Sequence, residues 1–336
     1  MKDHDRAIDA AEALAWPLCP LTGEAMQPGL LVPGDWRRPD DRRSWRIWHS
    51  YGGGFGQIHP RPRPGDIPEF YDIAGYYTHS ERDSTDPDLD ESRVGSLGRL
   101  LARIAWRFEH GAEPTQAWWR SVIPEGAREG LEIGCGEGGR MTTIQPFIAS
   151  LRGVEPDPCA VRAARARGHD VHEGTAEALP EAIRDRLHDV VTFVHVLEHT
   201  LDPVAALANA REVLAPGGLM SVEVPNNACE GARRMGRAWR WLDAPRHLNF
   251  FTPESLAACA EAAGLRVKAV LYRGYVRQFL PDWVLDEARI IARLERRAVT
   301  QADIDRQVRH SAALLAATAL AAPRRKYDSV RILCTR

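Results

Sequence analysis

Several absences bound this chain before any motif is read. Its six cysteines (Cys19, Cys135, Cys159, Cys229, Cys259 and Cys334) form no Cys-x-x-Cys pair, so neither a structural zinc site nor a disulfide framework is expected. Reduced thiols in a cytoplasmic protein fit better. The opening residues, MKDHDRAIDAAEALAW, lack an apolar core of signal-peptide length. No stretch reaches the roughly 18 uninterrupted apolar residues of a membrane span, so no membrane partner is expected. Charge of one sign is missing too: a formal net charge of -2 gives no general electrostatic case for nucleic acid. What remains is apolar material, 44% of 336 residues, enough for a substantial core and for about two domains.

The chain is organised around Leu131-Glu132-Ile133-Gly134-Cys135-Gly136-Glu137-Gly138-Gly139. A short apolar run ends in glycines and passes into a helix-compatible segment, 140–150. In this strand, turn, helix layout the glycines let the backbone approach a nucleotide-like ligand, and helix-start N–H groups point above the strand end. The next strand-like run, 150–154, ends at Glu155, and an acid at the tip of a second strand is the usual partner of ribose hydroxyls. Gly134, Gly136 and Gly139 also satisfy the dinucleotide pattern G-x-G-x-x-G, so the glycines alone leave two cofactor classes open.

Residues 1–95 are rich in Pro, Gly, Arg and aromatics and predict a small β-containing module, with Trp45-Arg46-Ile47-Trp48 as a strand. Its aromatics form either a local core or a substrate-facing wall. Residues 96–336 make the second domain. A helix over 97–110 is expected beside the first strand. Helices are expected near 158–167, 178–186, 203–214 and 253–263. They alternate with strands near 171–172, 189–194, 219–224 and 265–271, and a last strand spans 329–334. This alternation argues an α/β fold with a doubly wound, mostly parallel seven-stranded sheet. Residues 279–325 read as a helical insertion whose 311–322 segment covers the active-site mouth or forms a homodimer face.

The word LEIGCGEG resembles motif I of class I S-adenosylmethionine-dependent methyltransferases, with Glu132 as its leading acid. Four further words support the likeness: Gly153-Val154-Glu155-Pro156-Asp157, EGTAEALP from Glu173, HVLEHTLDP from His195, and LAPGG from Leu214. The word RHLNFFTPESL from Arg246 matches a stretch of the same family whose histidine faces the acceptor. The resemblance covers roughly 96–275 plus the terminal strand. It implies that Glu132, Gly134, Cys135 and Gly136 hold S-adenosylmethionine, that Glu155 and Pro156 grip its ribose, and that Thr175, Ala176 and Glu177 reach its adenine. The family often has Asp where Thr175 stands. His195 is placed beside the cofactor and Arg246 beside the acceptor; Trp239 and Trp241, just before Asp243, either line an apolar or sugar-binding acceptor pocket or belong to the core. Tyr76 or Tyr77 belongs to a tyrosine-bearing segment that in many such enzymes closes over the cofactor. Relatives often carry a cysteine-rich N-terminal module; here only Cys19-Pro20 with Gly23 hints at one, and no zinc is expected there.

The chemistry asks little of the protein, because the sulfonium already makes the methyl electrophilic; catalysis is chiefly in-line positioning. A hydroxyl acceptor must also lose a proton, to a base or with help from a metal ion. One cluster suits this: His195, Glu198, His199 and His247. Three readings stand. His199 or His247 acts as general base or acceptor orienter, with Glu198 beside it. Alternatively, a divalent metal sits on His195, Glu198, His199 and His247. The ubiquinone-pathway O-methyltransferases and small-RNA 3′-end methyltransferases bind one with an E-x-x-E-H word, but here His195 replaces the first Glu, a set better matched to a borderline metal than to magnesium. The third reading makes Glu198 and His199 loop braces and His247 a packing or capping residue. Arg233-Arg234-Met235-Gly236-Arg237 is either an anion-receiving run or a solvated loop. The expected function is methylation of a small-molecule acceptor, with O-methylation of a hydroxylated metabolite or sugar-containing natural product first. Such relatives are associated with secondary metabolism and surface glycans. C- or N-methylation, a non-catalytic binding protein of the same fold and a nicotinamide dehydrogenase are the alternatives.

Overall fold

The computed structural model describes residues 16–73, 90–112 and 115–336. Three short strands come first: β1 (Gln27–Val32), β2 (Trp45–Ser50) and β3 (Phe55–His59). The next five, β4 (Glu129–Ile133), β5 (Ser150–Glu155), β6 (Asp170–Glu173), β7 (His188–Val194) and β8 (Leu214–Pro225), are separated by helices or helical turns. β9 (Asn249–Phe251), β10 (Arg266–Arg273) and β11 (Ser329–Thr335) complete the set.

Two sheets result. The larger has the order β10-β11-β8-β7-β4-β5-β6, with β4 to β8 running parallel and β11 antiparallel to both its neighbours. The sequence of β7, HDVVTFV, does not alternate, and Val190, Val191, Phe193 and Val194 are all buried, as expected for a strand covered on both faces. Strand order reverses between β4 and β7. That switch point opens a crevice at the carboxyl ends of these two strands, where ligands bind in folds of this kind. It sets the Gly134 turn against the loop after β7: a side chain on Gly134 would run into Val196.

The smaller sheet, β1-β2-β3-β9, is antiparallel, and its fourth strand comes from far along the chain, with Phe55 opposite Phe251 and Gln57 opposite Asn249. Trp45, Ile47, Ile58 and Phe70 share one core with Leu242, Leu248, Phe250 and Ile290.

Some expectations need correction. The helix predicted over 140–150 is only Met141–Ile144 and a 3-10 turn, Gln145–Phe147, because Pro146 has no N–H to continue it. That over 178–186 shrinks to Glu181–Arg184. Ala215-Pro216-Gly217-Gly218 is a bulge inside β8 rather than a turn before it: pairing jumps from His188–Leu214 to Val190–Leu219. The helix Gly95–Trp106 buries Leu101 and Ala105 against Tyr275, Phe279 and Val308, not beside the first strand. The same cluster takes Leu314 and Leu315 of the helix Gln301–Thr318, so one side of the Ala/Leu-rich segment 311–322 packs within the chain, while Leu320 is exposed. No helix among the described residues is long and apolar enough to cross a membrane.

Candidate active site

The glycine turn is held from below. Gly134 and Gly136 have positive φ of 70° and 54°, the left-handed region that suits glycine. The Gly134 and Cys135 amides donate to the Val154 carbonyl, closing the turn onto β5. Gly136 N–H donates to Glu155 Oε2 at 2.8 Å, and Asp157 N–H donates to Glu155 Oε1 at 3.0 Å. The Glu155 carboxylate therefore sits at the rim of the turn, and each oxygen keeps a lone pair for a further donor. Burial pushes its pKa up against these two amides.

Glu132 lies under the turn, 1% exposed. Arg140 Nε reaches its Oε1 at 2.9 Å, while Oε2 is buried with no hydrogen-bond partner among the described residues. Burial, only partly offset by Arg140, raises this carboxyl to about 7. Above it, a Cβ on Gly136 would meet nothing within 4 Å. An unpartnered carboxylate oxygen under open backbone fits the ammonium of an aminoacyl nucleoside, which would supply the missing donor. The residues present thus fit S-adenosylmethionine.

Other residues assigned to the cofactor are disposed unevenly. The Cys135 thiol packs beneath the turn: a Cβ on Gly153 would lie 2.6 Å from its Sγ. Pro156 is exposed. Thr175 Oγ1 accepts from the Ala178 N–H at 3.1 Å, closing a local turn, and Ala176 is buried. Glu177 Oε1 accepts from Leu201 N–H at 2.7 Å, which ties the loop after β6 to the loop after β7.

Across the crevice, His195 has φ 57° and lies between two carboxylates, Nδ1 at 3.2 Å from Glu198 and Nε2 at 3.3 Å from Glu223. Its ring stacks on Trp241 with centroids 4.5 Å apart. Burial alone would lower its pKa, but the two carboxylates outweigh it and raise it, favouring imidazolium. Glu223 is also paired with Arg273 and Arg331. Trp241 Nε1 donates to Asp328 at 3.2 Å, and its ring meets Trp283 of the helix Pro281–Leu294 edge-on.

Glu198, His199 and His247 form a tighter group, with one metal-capable atom of each within 4.8 Å of the others. His195 is not in it. Glu198 is buried and its Oε2 has no hydrogen-bond partner among the described residues. Burial would raise its pKa, but the His195 bond and the neighbouring imidazoles prevail and lower it, so it stays anionic. His247 Nδ1 donates to the Trp241 carbonyl at 2.7 Å, leaving Nε2 without a proton. Burial, with His199 beside it, lowers His247 to about 4.

Two further residues change the picture drawn from sequence. Arg246, assigned to the acceptor, is 1% exposed, and its guanidinium donates to Asp35, Asp243 and the Phe70 carbonyl; it joins the N-terminal strands to the segment before β9. Tyr71, given no such role, places its hydroxyl 2.8 Å from His199 Nδ1. The only sequence cue was its place in the tyrosine-bearing run 70–79. Tyr76 and Tyr77 of that run lie outside the described residues. In the arginine-rich run, Arg233 and Arg234 both pair with Glu230.

Fold and site together define a nucleoside-binding α/β domain of the class I methyltransferase type. Residues 91–270 match the family described as "Methyltransferase domain", and the chain belongs to it: it is a class I S-adenosylmethionine-dependent methyltransferase. A curated relative, "Ubiquinone biosynthesis O-methyltransferase" of Cereibacter sphaeroides, is 33% identical over 147 residues, 40% of this chain and 59% of that protein. Another of the same name from Azorhizobium caulinodans is 31% identical over 191 residues, 53% of this chain and 71% of its own length. The chain thus spans about six-tenths of the first of these relatives. Among solved structures, a methyltransferase of Archaeoglobus fulgidus is 20% identical, covering 66% of this chain and 92% of that one, with a TM-score of 0.44.

Proposed function

We propose that the protein methylates an oxygen of a hydroxylated small molecule held between the glycine turn and the group Glu198, His199 and His247. The observation that supports this is chemical. Glu198 Oε2 is buried without a hydrogen-bond partner among the described residues and His247 Nε2 carries no proton, so two hydrogen-bond acceptors meet beside the crevice. A substrate hydroxyl supplies a donor. Bound S-adenosylmethionine supplies an activated methyl group, and the protein's share is to orient the acceptor, exclude water and take its proton.

The two histidines divide that work. A group titrating near 4 is a weak base at neutral pH, so His247 Nε2 serves as a hydrogen-bond acceptor for a second donor of the substrate, such as a neighbouring hydroxyl, and not for the proton that leaves. His199 is the base. General-base catalysis contributes about 10²–10⁴-fold, so His199→Ala should lower turnover within that range and His247→Ala should mainly raise the acceptor KM. The names of the curated relatives favour oxygen over carbon or nitrogen.

The same three side chains favour a second reading. Glu198, His199 and His247 are a donor set for a borderline divalent cation, which would polarise the acceptor oxygen. S-adenosylhomocysteine release from a panel of phenols, catechols and glycosides, with and without chelator, tests both. Turnover that survives chelation removes the metal reading; methylation only at carbon or nitrogen overturns the oxygen assignment.

A further inference from the structure

The imidazole of His199 is reached by two oxygens at the same nitrogen. The Arg246 carbonyl lies 3.0 Å from Nδ1, and the Tyr71 hydroxyl lies 2.8 Å from it. A carbonyl accepts and never donates. Were Nδ1 unprotonated, its lone pair would face the carbonyl's own at hydrogen-bond distance, with no proton between. Nδ1 therefore bears the hydrogen and Nε2 is bare, the form a general base needs if it is to receive a proton at Nε2. The tyrosine oxygen then shares the same N–H in a three-centre bond. A phenol holds its proton at neutral pH, so Tyr71 does not compete for one leaving the substrate.

Tyr71 ends a five-residue helix, Ile67–Tyr71, in the N-terminal part of the chain. That helix is fixed at the preceding residue, because Arg246 Nη1 holds the Phe70 carbonyl at 3.2 Å while gripping Asp35 with both terminal nitrogens. Arg246 thus acts at both ends of one closed circuit: its side chain places Tyr71, and its backbone carbonyl and Tyr71 together meet His199. The rings of Tyr71 and His199 meet edge-on, with centroids 6.0 Å apart.

We infer that Tyr71 is a positioning residue of the methyltransferase site, a contribution of the N-terminal strands and helix to catalysis: with the Arg246 carbonyl, it holds His199 in the Nδ1–H tautomer and its ring in one orientation. This rests on the base assigned above. Imidazole χ2 is broad and roughly twofold, so a ring that keeps one of two acceptors on Nδ1 can turn over and exchange tautomers.

The test is a long-range ¹H–¹⁵N spectrum of ¹⁵N-histidine-labelled protein, chelator-treated and saturated with S-adenosylhomocysteine, with His199 identified among the twelve histidines by His199→Gln. His199 should appear as Nδ1–H alone in the wild type. In Tyr71→Phe a substantial Nε2–H population should appear, while affinity for S-adenosylhomocysteine in calorimetry stays within about twofold and turnover falls roughly tenfold, the scale of one lost hydrogen bond. An Nε2–H His199 in the wild type, or an unchanged Nδ1–H spectrum in Tyr71→Phe, overturns the inference. Should the variant not fold, the wild-type spectrum still decides the tautomer. Failure of the functional reading is seen separately, as wild-type protein that does not bind S-adenosylhomocysteine.

Discussion

At the scale of single residues, ligand binding turns on buried carboxylates with an oxygen that lacks a donor. Glu132 is the clearest, because its pKa is about 7 in the free protein. Only the ionised form attracts an ammonium, so the sign is fixed: affinity for S-adenosylhomocysteine rises as pH rises through 7. Between pH 6 and pH 8 the ionised fraction of such a group grows roughly tenfold. Calorimetric titrations at the two pH values should show an increase in affinity approaching that factor, and Glu132→Gln should flatten it; a pH-independent affinity contradicts the assignment. Two glycines separate space from strain. Alanine at either position 134 or 136 pays for a left-handed backbone, about 1–2 kcal/mol. At Gly136 the added methyl meets open space, so the fold survives and ligand binding suffers. At Gly134 it meets Val196, so denaturation should show the larger loss of stability there. Glu132, Glu155 and the glycines could be read in sequence because they sit in one short word. Tyr71 could not: its partner, His199, is 128 residues away, and nothing local marks a tyrosine that will meet it.

At the scale of elements, the connection between the N-terminal sheet and the rest is carried by β9 and by Arg246. Removing a guanidinium that pairs with both Asp35 and Asp243 in the interior strips Asp35 of this charge partner and leaves Asp243 to Arg37 and Trp36, at a cost of about 3–5 kcal/mol. Arg246→Ala should lower the urea midpoint accordingly, and a variant within about 0.5 kcal/mol of wild type contradicts the buried role. The strands of the large sheet were legible because a non-alternating apolar run such as β7 declares burial on both faces. Helix lengths were less so. Pro146 ended one helix early, and the bulge in β8 hid a strand start behind residues that resemble a turn. The partners of the helix Gly95–Trp106 escaped because an apolar stripe says that a face is buried, not against what.

At the scale of the molecule, the smaller sheet and the segment before β9 share a core, so we expect the N-terminal strands and the central sheet to unfold together. Trp36 and Trp45 are buried in that shared core and report on it. Urea transitions followed by tryptophan fluorescence and by far-ultraviolet circular dichroism should coincide; a separate early fluorescence transition contradicts a common unit. The order of the large sheet places the glycine turn and the His199 loop on either side of one crevice. The sequence carried the words for both, but only their adjacency makes a methyl donor and an acceptor neighbours.

The claim on which the rest depends is that this crevice binds an S-adenosyl nucleoside by Glu132 and Glu155. Calorimetric titration of S-adenosylhomocysteine into the wild type and into Glu155→Ala tests it most directly. The wild type should show one site and the variant one at least about tenfold weaker, as expected when hydrogen bonds to a charged group are lost. Equal affinity in both proteins, or no binding to the wild type, contradicts it.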